Sequence, residues 1–280
     1  MRRRDFIRNT ALAASAVSMF PLMAHAKGCQ KIGLNLWTVR DMMNKDVAGT
    51  LDLLAEIGYK WIEPAGYNNG LFYGTKPSKF KQLVDDRGME IISNHTNITD
   101  DNKIDETLDA VVETGAKYAV LPLLRDEWEA NLDGLKKAAE FLNIAGEKAR
   151  EKGIKFGFHN HTFEFSKLGN TLPIDVLMAE TDPKLVTFEM DLAWTTAAGK
   201  DPIEFFKKYP GRFELWHVKD TNKENKDEIL GLGRIDFKAI FEEKKLSGMK
   251  YFFVEKDYAR NKSVEEILKI NMEYLRNNIF

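Results

Sequence analysis

One cysteine, Cys29, occurs in the 280 residues, so no internal disulfide can form and the fold must rest on its hydrophobic core. Apolar runs are short. The longest, the Ala-rich stretch Ala11 to Ala24, falls below the ~20 residues that span a bilayer. Neither sign of charge dominates: 41 Lys and Arg face 43 Asp and Glu, a net of −2. Without a basic stripe the chain lacks the electrostatic footprint of a nucleic-acid binder. No Gly-rich phosphate loop follows the first predicted strand, where IGLNLWTVRD runs instead, which argues against a doubly wound dinucleotide-binding sheet. Nor does any linker or low-complexity stretch interrupt residues 27–280.

The N-terminus reads as an address. Arg3-Arg4-Asp5-Phe6-Ile7-Arg8 matches the pattern RR-x-F-[LI]-[KR], the Ala-rich stretch follows, and Ala24-His25-Ala26 fits an A-x-A cleavage site. Residues 1–26 are expected to be a twin-arginine signal peptide, with a periplasmic product that has no membrane attachment once the signal is removed. Lys27-Gly28 ahead of Cys29 is a poor lipobox. Removal takes away four arginines and one aspartate and leaves 37 basic and 42 acidic residues, a net of −5.

What is present is a recurring phrase: an amphipathic helix, a glycine, then a short apolar strand. It appears in LLAEIGYKWIEPA, LVDDRGMEIISNH, VVETGAKYAVLPL, AREKGIKFGFHNH and KKLSGMKYFFVEK. Glycine supplies the left-handed residue that ends a helix at low cost, so Gly58, Gly88, Gly115, Gly153 and Gly248 read as helix C-caps. Repeated βα units imply a parallel sheet. Strands are predicted near 31–37, 59–64, 89–95, 117–123, 154–161, 185–191, 212–219 and 250–256. Helices are predicted near 46–57, 77–87, 103–114, 126–151, 173–180, 201–208, 236–246 and 263–277. Eight of each predict a single-domain (β/α)8 TIM barrel over residues 27–280, a usual length for that fold.

Histidine is scarce, with five in the chain and His25 inside the leader. The other four close predicted strands: His95, His159, His161 and His217. Two further strands end in carboxylates, Asp191 and Glu255. A barrel gathers such ends around one mouth. Imidazole with carboxylate is the donor set of a divalent cation such as Mn²⁺, Mg²⁺, Co²⁺ or Zn²⁺, and one such ion is expected at Asp191, His217 and Glu255. Separate salt bridges and caps at strand ends are the alternative. Strand five supplies a fourth ligand less directly. Glu164 is favoured as the nearby carboxylate, with either His159 or His161 as substitute. Glu63 and His95, ending strands two and three, can hydrogen-bond a hydroxylated ligand, as can Asn160 and Asp220. Lys219 can orient an intermediate or form a Schiff base. Trp194 and Trp37, with Phe72 and Tyr73, are aromatics suited to a sugar face, or to packing of the barrel rim.

These strand-end motifs resemble the xylose isomerase-like TIM-barrel superfamily, and within it the sugar phosphate isomerase/epimerase group. The matching pieces are IEPAGY, ISNHTN, FHNHTFEF, EMDLAW, HVKD, GLGRIDF and FVEKD, which span almost the whole of residues 27–280. The resemblance implies that a Glu, an Asp, a His and a Glu from strands five to eight hold one divalent ion, which places metal roles on Asp191, His217 and Glu255. It further implies a metal-dependent isomerase or epimerase that abstracts a proton next to a carbonyl, with Glu255, His161 and Lys219 as catalytic candidates. Lyases and hydratases acting on 3-keto-glycosides resemble the family too and are the alternative, and a non-catalytic sugar-binding protein is the reading from another class. In ketose 3-epimerases of the superfamily strand five carries a metal-binding Glu, a position that falls here on Phe158. Their substrate-binding His is matched by Trp194. The expected partner is a small carbohydrate, with no nucleic acid; assembly into a homo-oligomer is compatible with the sequence.

Overall fold

The computed structural model describes residues 31–98, 100–259 and 261–280. The predicted leader and Cys29 lie outside the described residues. Eight strand segments run parallel around a barrel: β1 (Gly33–Asn35), β2 (Trp61–Glu63), β3 (Glu90–Ile91 continued by Ser93–His95), β4 (Tyr118–Leu121), β5 (Lys155–His159), β6 (Val186–Asp191), β7 (Leu215–Val218) and β8 (Tyr251–Val254). Each pairs with its chain neighbours, and β8 pairs back onto β1, so the sheet closes through the two pieces of β3. The principal helices are α1 (Val47–Ile57), α2 (Pro77–Asp85), α3 (Ile104–Glu113), α4 (Leu132–Glu151), α5 (Pro173–Glu180), α6 (Pro202–Lys208), α7 (Phe237–Glu242) and α8 (Val264–Asn278). The expected (β/α)8 barrel is what forms.

Local chemistry explains where elements stop. Gly58 ends α1 in the left-handed conformation, with φ of 106°, where a side chain would be strained. The helix expected over 126–151 is broken because Asn131 takes extended backbone and caps α4 through the Gly134 amide. A short helix, Leu192–Ala197, follows β6 directly and was not anticipated; the Asp191 side chain caps it.

Alternation along the strands sorts the side chains into two sets. Leu34, Ile62, Phe156, Phe188, Trp216 and Phe252 join the large core between sheet and helices. Ile92, Tyr118, Val120, Leu215 and Phe253 form a separate apolar plug inside the barrel. Above that plug the inward positions turn polar: Glu63, Glu189 and His217 are all fully buried. The break in β3 matters here. Ile92 joins the inner plug, yet Asn94, two residues on, reaches outward to Thr114 on the helix layer. The register therefore slips by one, and His95 faces inward. A bulge-like break of this kind re-aims a side chain at the barrel rim.

The packing yields a stability prediction. Trp216 is fully buried, stacks on Phe206 at 5.1 Å between ring centroids and meets Phe241 edge-on at 5.4 Å. Trp216→Ala is expected to lower unfolding free energy by about 3–5 kcal/mol in urea titrations. A loss below about 1 kcal/mol would show that this contact contributes little.

Candidate active site at the barrel mouth

Asp191, His217 and Glu255 end β6, β7 and β8, and their ligand atoms lie within 4.8 Å of one another. In-register pairing places Asp191 directly beside His217. His217 Nδ1 is 2.9 Å from Glu255 Oε2 and 3.9 Å from Asp191 Oδ2. The two Asp191 oxygens do different things. Oδ1 accepts from the Trp194 amide at 2.7 Å and caps the short helix, while Oδ2 is buried without a partner. A buried carboxylate oxygen with no donor, facing an imidazole nitrogen and a second carboxylate, is a donor set that fits a divalent cation.

The opposite edge of the His217 ring is equally occupied. Nε2 lies 2.6 Å from Glu63 Oε2 and 3.2 Å from Glu189 Oε2. Asn35 Nδ2 donates to Glu63 at 2.9 Å, and His95 Nε2 and His159 Nδ1 approach Glu189 at 2.6 and 3.1 Å. His95, His159, Glu189 and His217 thus form a second potential ligand group. Glu189 escaped the sequence reading. VTFEMD looks like one continuous buried run, but Glu189 and Asp191 are two apart and share the inward face, which was the available signal.

Three expected positions are corrected. Glu164 lies outside both ligand groups; its carboxylate accepts from the His161 amide at 2.8 Å and closes the turn after β5. Asn160 faces away from the mouth, with Oδ1 accepting from the Asp191 amide and Nδ2 reaching Thr195. Asp220 accepts from the amides of Thr221, Gly231, Gly233 and Ile235, which organises the loop after β7. In each case nearby backbone N–H groups satisfy the carboxylate or amide before any ligand could. On β5 it is His159, not Phe158, that faces inward; Phe158 packs against Phe188 in the outer core.

Above these groups a cavity opens to solvent, lined by His95, His159, His161, Trp194, Glu255 and Asp257, with Trp37, Tyr67 and Leu123 toward the rim. Phe72 is buried in the core instead, and Tyr73 holds the Ala65 amide. Lys219 is buried beside this cavity. Its ammonium pairs with Asp257, lies 3.5 Å from Glu255 and sits 4.5 Å over the Trp194 ring. Burial disfavours its charge, but Glu255, Asp191 and Asp257 outweigh that and hold its pKa well above the ordinary value. The ammonium is thus held as a paired charge between Glu255 and Asp257. His161 behaves oppositely: burial, reinforced by Lys219, His95 and His217 against the pull of Glu255, takes it down to about 4. Asp257 is the other group that sequence reasoning missed; it lies two residues past Glu255 in FVEKD, on the same side.

Burial raises Asp191 to about 7, with Glu255 adding to the rise and Lys219 opposing it. Burial also disfavours charge on His217, yet Glu189, Glu255 and Glu63 outweigh it and hold its pKa well above 6.5. A cation must displace those protons. Ordinary aspartates stop competing above about pH 4; here competition extends to neutrality. Metal affinity is therefore expected to fall as pH drops from about 8 to about 6, by roughly tenfold per unit for each proton released. Calorimetric titration with Mn²⁺ or Zn²⁺ across that range checks this, and a flat profile would contradict it.

A model of the family described as Xylose isomerase-like TIM barrel matches residues 51–278. The chain belongs to that family. A sugar phosphate isomerase/epimerase from Parabacteroides distasonis is similar in structure, with a TM-score of 0.80 and 28% identity over 91% of this chain and 96% of that one. The inosose dehydratase of Lacticaseibacillus casei is 30% identical over 165 residues, covering 51% of this chain and 52% of that protein. The chain spans about half the length of the curated relatives it matches. The IOLI protein, crystallised with a zinc atom, shares the fold at a TM-score of 0.70 and 17% identity, covering 87% of this chain and 96% of that one.

Proposed function

We propose that the chain is a divalent-metal-dependent enzyme that abstracts the proton next to a carbonyl of a keto-sugar or keto-polyol. The reading rests on one observation above others: Asp191, His217 and Glu255 converge at the cavity with an Asp191 oxygen left unpartnered. An ion held by these three residues would supply Lewis-acid polarisation of the substrate carbonyl. His161 lines the cavity and takes the proton at the adjacent carbon. Lys219, held charged between Glu255 and Asp257, stabilises negative charge as it develops on oxygen. Trp194, Trp37 and Tyr67 offer aromatic faces to the ring, while His95 and Asn97 offer hydrogen bonds.

Isomerisation, epimerisation and loss of a β-hydroxyl share this first step. Relatives named as inosose dehydratases favour elimination, and among the described residues the cavity is lined by no Lys or Arg to receive a phosphate. The test is solvent deuterium incorporation into a panel of keto-cyclitols and 3-keto-glycosides by metal-loaded protein. Incorporation accompanied by an unsaturated product supports elimination, and incorporation with rearranged sugar supports the isomerase. No incorporation into any member, with metal bound, would sink the enzymatic reading.

The twin-arginine pattern supports export to the periplasm. Changing Arg3 and Arg4 to Lys is expected to leave the precursor in the cytoplasm; unchanged export would remove the claim.

A further inference from the structure

The end of the barrel opposite the mouth carries a cavity of about 430 Å³ that the proposed reaction does not use. It sits where β4, β5, β7 and β8 begin, against the turns that precede β5 and β6. Five cations line it: Lys117, Arg150, Lys155, Lys184 and Lys250. Glu214, buried at 7% exposure, is the one carboxylate among the described residues that line it. It accepts from the Tyr118 hydroxyl at 2.9 Å and pairs with Lys155 at 2.8 Å and Lys250 at 3.1 Å. Lys117 pairs at 2.9 Å with Glu90, which Lys31 also approaches at 3.8 Å, and Arg150 pairs with Glu147 on its own helix. Lys184 enters no ion pair among the described residues. Six cations therefore share three carboxylates, in a chain whose net charge is −2.

Residues at this end of a barrel commonly serve stability. Glu214 fills that role for Tyr118, Lys155 and Lys250, which converge on its two oxygens. It leaves Arg150 and Lys184 unexplained. These come from the last turn of α4 and the turn before β6, and they add positive charge to a wall already in surplus. Like charges held close raise one another's energy, and a bound anion relieves that cost. The volume falls in the ~300–1,000 Å³ range of small-molecule sites. We propose that this cavity binds an anion bearing phosphate groups with two or more negative charges. Lys117, Lys155 and Lys250 meet it from the strand starts, and Arg150 and Lys184 from the surrounding layer. Lysines act there as point charges, while the Arg150 guanidinium can fork onto two phosphate oxygens. Two sources share this chemistry, a soluble phosphate ester and the headgroup of an anionic lipid. The site stands or falls independently of the reaction proposed for the mouth.

The test is calorimetric titration of the full chain with inorganic pyrophosphate, in a phosphate-free buffer of low ionic strength. The protein is first stripped with chelator and desalted, so that no ion at the mouth can recruit the anion. Co-sedimentation with phosphatidylcholine vesicles, with and without phosphatidylglycerol, runs in parallel. Wild type is expected to bind pyrophosphate with a Kd below about 1 mM, and more weakly as added salt screens the cations. The triple variant Arg150→Gln, Lys184→Gln, Lys250→Gln leaves Lys155 and Tyr118 on Glu214, and is expected to bind at least about tenfold more weakly. The control Lys136→Gln, Lys137→Gln removes two cations from exposed positions near the start of α4 and is expected to bind as wild type does. If the triple variant does not fold, judged by near-ultraviolet circular dichroism, Lys184→Gln at its exposed position replaces it, with an expected weakening of about threefold. Pyrophosphate binding that follows this pattern supports the site with a soluble ligand. Binding to phosphatidylglycerol vesicles alone, lost in the cavity variant and kept in the control, supports it with a lipid headgroup. Binding to neither probe, binding unchanged in the cavity variant, or equal weakening in variant and control would overturn the proposal.

Discussion

Replacing His217 with alanine is expected to abolish ion binding at the Asp191–Glu255 seat, and with it turnover. The ring touches every part of the site: Glu255 on one edge, Glu63 and Glu189 on the other, and Asp191 within 4 Å. Outer partners of a metal ligand are typically worth 10–100-fold in affinity. Loss of the ligand itself should exceed that, so the weakening is expected to be at least about 100-fold. Elemental analysis after reloading should show one equivalent fewer than wild type. Stability is a poorer readout. The substitution removes a partner from Glu63 and Glu255, but it also opens space in which water can reach them. A variant that retains full metal content would show that His217 is no ligand.

Lys219→Met is the second large effect expected. Methionine keeps much of the buried volume and removes the charge that pairs with Asp257, approaches Glu255 and covers the Trp194 ring. If the ammonium stabilises charge developing on substrate oxygen, kcat should fall by ~10²–10³-fold, the range for losing one preorganised electrostatic donor. Metal content should be retained, because no ligand is removed. Steady-state kinetics on any substrate that exchanges deuterium, alongside elemental analysis, separates the two effects. A kcat within a few-fold of wild type would assign Lys219 to holding Glu255 and Asp257 in place.

Much of the site was legible because barrel geometry converts chain order into space. Asp191, His217 and Glu255 are distant in sequence and meet because each ends a strand of the same parallel sheet. Gly58 and Gly248 marked the helix ends, and both adopt the left-handed backbone that only glycine accepts readily. What sequence could not convey was the fine register. Whether His95 faced in or out depended on a one-residue slip between Ile92 and Asn94 that no residue type announces. Glu164 looked like a ligand because it follows strand five closely, yet the turn returns its carboxylate to the His161 amide. Asp220 had the same fate, with four loop amides converging on it. A carboxylate at a strand end has two competing uses, to order the following loop or to face the mouth, and the difference lies in backbone geometry. Glu189 shows the converse. Its neighbours are apolar and its strand is buried on both faces, so its two-residue spacing from Asp191 is the one mark of its inward face.

Anomalous diffraction from crystals of the Mn²⁺-loaded protein would locate the ion. A strong peak is expected between Asp191, His217 and Glu255, with Asp191 Oδ2 turned toward it. A well-measured map that has no peak there, or places manganese only among exposed carboxylates, would contradict the assignment of these three ligands.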